Sequence, residues 1–133
     1  MVHKYELRVR YSDTDQMQRL HHAAYVEYLE VVRIECLRSM GFSYDALEKS
    51  GYLLPVSKLQ VRYRQGARYD EVLSFETRVE VLSEIRLVFH SAIHVSNRLI
   101  ATAEVELACI EANGQRPQKM PERLISALEE ASV

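Results

Sequence analysis

Cysteine is scarce in this sequence. Cys36 and Cys109 are the two in 133 residues, and they form no CxxC pair. Both lie in largely apolar patterns, so the expectation is a pair of reduced core thiols in a cytoplasmic protein. Charge of one sign is lacking as well: 17 basic against 19 acidic residues leave a formal net charge of −2. That balance gives no broad electrostatic footprint for nucleic acid or an anionic membrane. No stretch approaches the ~20 apolar residues of a membrane span. The opening Met1-Val2-His3-Lys4-Tyr5-Glu6 lacks the apolar core of a secretory signal. There is no repeat, no low-complexity tract and no interior linker, so residues 1–133 read as a single domain. A chain of this length buries roughly two-thirds of its unfolded surface, and the apolar fraction of 47% is ordinary for such a core.

What is present is mostly period-2 alternation. Tyr5, Leu7, Val9 and Tyr11 share one face of a first strand, opposite Lys4, Glu6, Arg8 and Arg10. The period then changes. From Ala23 to Met40 the spacing of Tyr25, Tyr28, Leu29, Val32 and Cys36 predicts a helix, and Val31, Ile34 and Leu37 widen its apolar face. A helix so apolar is expected to be covered on more than one side. Glu30–Arg33 and Glu35–Arg38 are spaced as surface pairs on what remains. Gly41 supplies a stop, and a short helix follows from Ser43, its N-cap, to Ser50.

Four strand-like segments come next. Their inward faces read Leu59, Val61, Tyr63; then Leu73, Phe75, Thr77, Val79, Val81; then Leu87, Phe89, Ile93, Val95; then Leu99, Ala101, Ala103, Val105, Leu107, Cys109. Ser83-Glu84 and Ser96-Asn97-Arg98 are links short enough to demand antiparallel neighbours. Asn113-Gly114 marks a turn, and Pro121 opens a last helix with Leu124, Ile125 and Leu128 as its apolar side. Glu129 to Val133 are expected to fray. Strands buried on one face, plus one largely apolar helix, predict an α+β architecture: an antiparallel sheet wrapped around one long central helix. The sheet's edges make a homodimer or homotetramer a natural way to cover them.

The chemistry-bearing segment lies between the first strand and the long helix: Tyr11-Ser12-Asp13-Thr14-Asp15-Gln16-Met17-Gln18-Arg19-Leu20-His21-His22-Ala23-Ala24-Tyr25. Two carboxylates, two imidazoles and a phenol there feed a helix N-terminus, whose free N–H groups can hold a polarised carbonyl. A carboxylate opposite them could attack that carbonyl or activate water. The same residues also serve as turn and capping groups. Metal ligation by Asp13, Asp15, His21 and His22 is disfavoured, because adjacent helical histidines point about 100° apart and no HExxH or cysteine set accompanies them. No metal and no cofactor is called for.

These residues resemble the 4-hydroxybenzoyl-CoA thioesterase-like group of hotdog-fold acyl-CoA thioesterases. The match rests on Tyr-Ser-Asp-Thr-Asp, five residues, then His-His-Ala-Ala-Tyr opening a helix. A second landmark is Tyr63-Arg64-Gln65-Gly66-Ala67-Arg68-Tyr69-Asp70-Glu71-Val72-Leu73, similar to the family's aromatic–x–x–Pro–Ala–Arg–x–x–Asp segment. The resemblance covers nearly the whole chain and implies a hotdog fold. It implies that Asp15 is the catalytic carboxylate, acting as nucleophile or base on water. The backbone N–H at His22 would donate to the thioester carbonyl, and Tyr25 would line or orient the site. Asp13 would structure the loop. The implied substrate is an acyl-CoA or acyl-carrier-protein thioester, whose phosphates call for basic residues such as Arg62, Arg64 and Arg68. A thiolate leaves with little protonation, so one carboxylate and one oxyanion donor suffice without a GxSxG nucleophile.

Two departures stand out. The family loop carries glycine where this chain has Gln16-Met17-Gln18, so a positive φ at Gln18 would be strained by about 1 kcal/mol or more. The family proline is Gly66 here. An acyl-thioester hydratase and a pocket that binds acyl thioesters without turnover are the competing readings. The first lacks the characteristic hydratase motif, and the second has to explain why Asp15 and His22 are kept.

Overall fold

The computed structural model describes residues 1–132. Strand β1 (His3–Arg8) leads through a single 3-10 turn (Tyr11–Asp13) and an irregular loop into α1 (Ala24–Ser39), followed by α2 (Tyr44–Lys49). Then come β2 (Tyr52–Leu53), β3 (Val56–Tyr63), β4 (Val72–Val81), β5 (Arg86–Val95), β6 (Arg98–Ala108), β7 (Ile110–Glu111) and α3 (Glu122–Ala131). Five strands form one antiparallel sheet in the order β1-β4-β5-β6-β3, and β2 pairs with β7.

The alternation in the sequence is the cause of the layering. Leu73, Phe75, Leu87, Phe89, Ile93, Ala101, Val105 and Leu107 point to one side and are almost wholly buried. They form one core with Tyr25, Leu29, Val32, Cys36 and Leu37 of α1 and with Leu124 and Leu128 of α3. Each such side chain contributes roughly 1.5–3 kcal/mol by leaving water. This is the expected sheet wrapped around a central helix, the hotdog arrangement. Both cysteines are buried and unbridged, and burial pushes the Cys36 thiol up to about 11.

Helix ends follow local chemistry. Gly41, at φ 91°, ends α1, with the Phe42 N–H returning to the Leu37 carbonyl at 3.0 Å. Ser43 Oγ caps α2 by accepting the Ala46 N–H at 3.1 Å.

Several expectations fail in detail. Tyr11 does not continue the buried face of β1; it lies in the 3-10 turn and is 77% exposed. Val31 is exposed as well, because the sheet and α3 cover only part of the helix's circumference. Arg33 is not a surface partner of Glu30 but is buried, while Glu35–Arg38 does form an ion pair at 3.3 Å. A register irregularity at Ile93/His94 turns Ile100 rather than Leu99 into the core. Helix α3 stays regular to Ala131, where fraying was expected from Glu129; Val133 lies outside the described residues.

Candidate active site

The start of α1 has no side-chain cap of its own; its N-cap is Ala23. Tertiary bonds set it instead. The His21 N–H donates to the Asp13 carbonyl at 2.8 Å, the Ala24 N–H to the His21 carbonyl at 2.9 Å and the Ala23 N–H to His21 Nδ1 at 3.2 Å. Among the described residues the N–H groups of His22 and Tyr25 have no such partner, as expected of a first helical turn. They are the donors available to a carbonyl oxygen.

Asp13 organises this turn. Its Oδ2 accepts the Tyr28 hydroxyl at 2.6 Å and Arg10 Nε at 2.9 Å, and these bonds from Arg10 and then Tyr28 hold its carboxyl below the usual range. The Tyr28 hydroxyl in turn accepts the Arg10 backbone N–H at 3.1 Å. Tyr28 thus does more than fill the core, a role that periodicity could not reveal.

Asp15 stands in the tight turn that follows. One oxygen, Oδ1, accepts the N–H groups of Met17 at 2.8 Å and Arg19 at 3.2 Å. The turn closes by Asp15 N–H to the Arg19 carbonyl at 2.8 Å and Gln18 N–H to the Asp15 carbonyl at 3.0 Å. It requires φ 63° at Gln18, the left-handed conformation that glycine would adopt without strain. The carboxylate is therefore oriented through Oδ1, and Oδ2 makes no hydrogen bond among the described residues.

The two sequence landmarks meet here. The Leu20 N–H donates to the Ala67 carbonyl at 2.7 Å, and Arg19 bridges Arg68 in antiparallel register. Tyr63, at the end of β3, donates its hydroxyl to the His22 carbonyl at 2.6 Å and meets the Tyr25 ring edge-on at 5.1 Å. Tyr25 is buried, which keeps its phenol above the ordinary tyrosine range and so protonated. His22 is exposed, its ring 4.3 Å from that of His21. Tyr63 was read from sequence only as part of a strand face, although it is the aromatic residue that opens the second landmark.

The three arginines do not converge. Arg62 and Arg64 line an open concavity of about 510 Å³ on the outer face of the sheet, with Arg78, His90 and Glu104. Arg68 lies instead against the Asp15 loop, opposite Arg19. Asp13, Asp15, His21 and His22 do not assemble as a metal-holding group among the described residues. Nor do Asp15, His22 or Tyr25 line that concavity or the one of about 770 Å³ between α2 and the start of α3. The site on a single chain is an open surface beside the β3 edge.

Comparison with known proteins matches this geometry. Residues 9–128 fit the model of the thioesterase-like superfamily. The acyl-CoA thioester hydrolase YbgC of Escherichia coli O157:H7 is 32% identical over 124 residues, 92% of each chain. A DHNA-CoA thioesterase from Staphylococcus aureus is 32% identical and superposes with a TM-score of 0.88 over 98% of this chain and 87% of its own. The hypothetical protein TT1821 of Thermus thermophilus, also 32% identical, gives a TM-score of 0.90 over 96% and 98%. With a two-carboxylate loop, an open helix start and a hotdog sheet, the chain belongs to the thioesterase-like superfamily.

Proposed function

We propose that this protein hydrolyses acyl-CoA thioesters to the free acid and CoA, with Asp15 as nucleophile or general base and the N–H at His22 as oxyanion donor. The observation that carries the reading is the Asp15 turn: one carboxylate oxygen is held by two backbone N–H groups while the other is uncommitted, in the loop that leads into a helix start with open donors. A carbonyl oxygen seated on those donors becomes more electrophilic at carbon. The free Asp15 oxygen then either attacks that carbon or takes a proton from attacking water. The tetrahedral intermediate collapses with expulsion of the CoA thiolate, giving the free acid directly when water attacked, or an anhydride on Asp15 that water then hydrolyses to the acid and the free carboxylate when Asp15 attacked. Tyr25, buried and protonated, positions this turn through its ring contact with Tyr63, whose hydroxyl fixes the His22 carbonyl. The names of the relatives support an acyl-CoA substrate.

A second copy of the chain completes the molecule in this reading. Strand β3 is one of the sheet's two edges, and Val56, Leu59 and Tyr63 on it, with Val26 and Val31 on α1, are exposed. Pairing of two such edges satisfies their open backbone groups and closes the surface beside Tyr63.

The test is release of free thiol from short, long and aromatic acyl-CoAs, wild type beside Asp15→Asn. Hydrolysis by the wild type and its loss in a folded variant, by at least about a hundredfold, supports the assignment. Near-wild-type rates in the variant remove Asp15 from this role. Binding of acyl-CoA without thiol release would make the chain a non-catalytic acyl-thioester module. Conversion of the acyl chain with CoA still attached would make it a hydratase.

A further inference from the structure

Arg19 and Arg68 face each other across an antiparallel bridge. Directly opposed residues in such a pair project to the same side with Cβ atoms about 4.5–5.5 Å apart, and like charges so placed repel. Neither guanidinium has a hydrogen bond or ion pair with any described residue; both residues are engaged through the backbone, the N–H of Arg19 with Asp15 Oδ1 and that of Arg68 with Glu71 Oε1, their carbonyls with the Asp15 and Glu71 N–H groups. Three neighbouring acids are committed elsewhere, and Asp15, whose Oδ2 is free, pairs with neither arginine among the described residues. Glu71 uses its second oxygen on Arg98 at 3.2 Å, Asp70 faces Arg8 at 3.5 Å, and Asp13 is taken by Arg10.

Gly66 makes the arrangement possible. The stem of Arg19 crosses it, two residues before Arg68. A Cβ at position 66 would come within 2.6 Å of Arg19 Cδ, a separation no real pair tolerates. The missing family proline thus leaves free the path along which Arg19 lies, and a side chain at 66 would displace the arginine from it.

We infer that Arg19 and Arg68 form an anion site for a phosphate of the substrate's pantetheine carrier, with Gly66 as the residue that admits Arg19. This rests on the thioesterase reading above and deepens it. Two planar guanidiniums offer several donors to a phosphate, and a bound phosphate converts their mutual repulsion into attraction. The phosphate lies at the far end of the pantetheine arm from the thioester, so its site belongs beside the catalytic turn and not within it. Because the Arg19 N–H also holds Asp15 Oδ1, anchoring Arg19 steadies the turn that carries the carboxylate. Both CoA and a carrier protein present such a phosphate.

The experiment compares kcat/KM for three thioesters of one acyl group, on CoA, on phosphopantetheine and on phosphate-free N-acetylcysteamine, in wild type, Arg19→Gln, Arg68→Gln and Gly66→Ala, with folding checked by circular dichroism. The expected result is a fall of roughly three- to tenfold in the ratio of the CoA rate to the N-acetylcysteamine rate in each arginine variant, and a fall in the same direction in Gly66→Ala. A matching fall for phosphopantetheine assigns the phosphate shared with carrier proteins; a fall for CoA alone assigns one of CoA's other phosphates. Ratios equal to wild type in all three variants overturn the inference while leaving hydrolysis intact. Should the wild type hydrolyse none of the thioesters, the thioesterase reading fails on its own. Calorimetry with free CoA then decides the arginine pair: weaker binding in Arg19→Gln supports it, and equal affinity overturns it.

Discussion

Gln18 holds a conformation that glycine adopts freely and glutamine adopts at a cost. Its φ of 63° is what the Asp15 turn requires, so the turn's shape survives loss of the glycine, at a strain of roughly 1 kcal/mol. Gln18→Gly should therefore raise stability by up to about 0.5 kcal/mol, most of the relief being offset by the entropy of an unfolded glycine. A urea titration reads this directly, and a lower midpoint would mean that the glutamine side chain contributes contacts of its own. Tyr28 supplies a second prediction at this scale. Its hydroxyl stabilises the Asp13 carboxylate, whose pKa is depressed by Arg10 and Tyr28. A depressed carboxyl contributes stability above its unfolded pKa and loses it as pH falls through its folded one. Tyr28→Phe should thus cost about 1–2 kcal/mol at neutral pH, and less once pH has fallen through the lowered pKa of Asp13 and protonation has weakened the bond. A penalty independent of pH would assign the loss to packing instead.

Among the elements, β4 and β5 carry a polar pair on the face that packs into the core. Thr77 Oγ1 and Ser91 Oγ are 2.8 Å apart and both residues are buried. Thr77 sat in an apolar alternation in the sequence, and nothing in the alternation named its partner; the register Thr77↔Ser91 did so. Each hydroxyl satisfies the other, so removing one leaves its partner dry and unpaired. Thr77→Val alone should destabilise by about 1–2 kcal/mol, whereas Thr77→Val with Ser91→Ala should recover much of that loss. Chemical denaturation of the four-member cycle measures the coupling, and additive effects would show that the pair contributes nothing beyond its packing.

For the whole molecule, the free β3 edge and the exposed Leu59 beside it are a liability in a monomer. The protein is expected to sediment as a dimer or tetramer, and Leu59→Glu to shift it toward monomer by placing a charge in the joining surface. Thiol-releasing activity should fall with the dimer, because Tyr63 on the same strand touches His22 and Tyr25. A monomeric wild type with full activity would show that one chain suffices.

Side-chain periodicity is a property of neighbouring residues, and it set most of the fold before any contact was known. It gave the strand–helix–strand order, the inward faces of β4 and β5, the Gly41 stop and the Ser43 cap. The resemblance placed Asp15, His22 and Tyr25 around one turn of backbone because they lie within eleven residues of one another. Folding alone brought Ala67 and Arg68 against Leu20 and Arg19, turned Ile100 inward at an irregular register, and buried Arg33. Those outcomes depend on which strands pair and in what register, a choice made by burial of the whole core rather than by any local pattern. For the same reason Arg62 and Arg64 lie on the outer face of the sheet while Arg68 lies against the Asp15 turn.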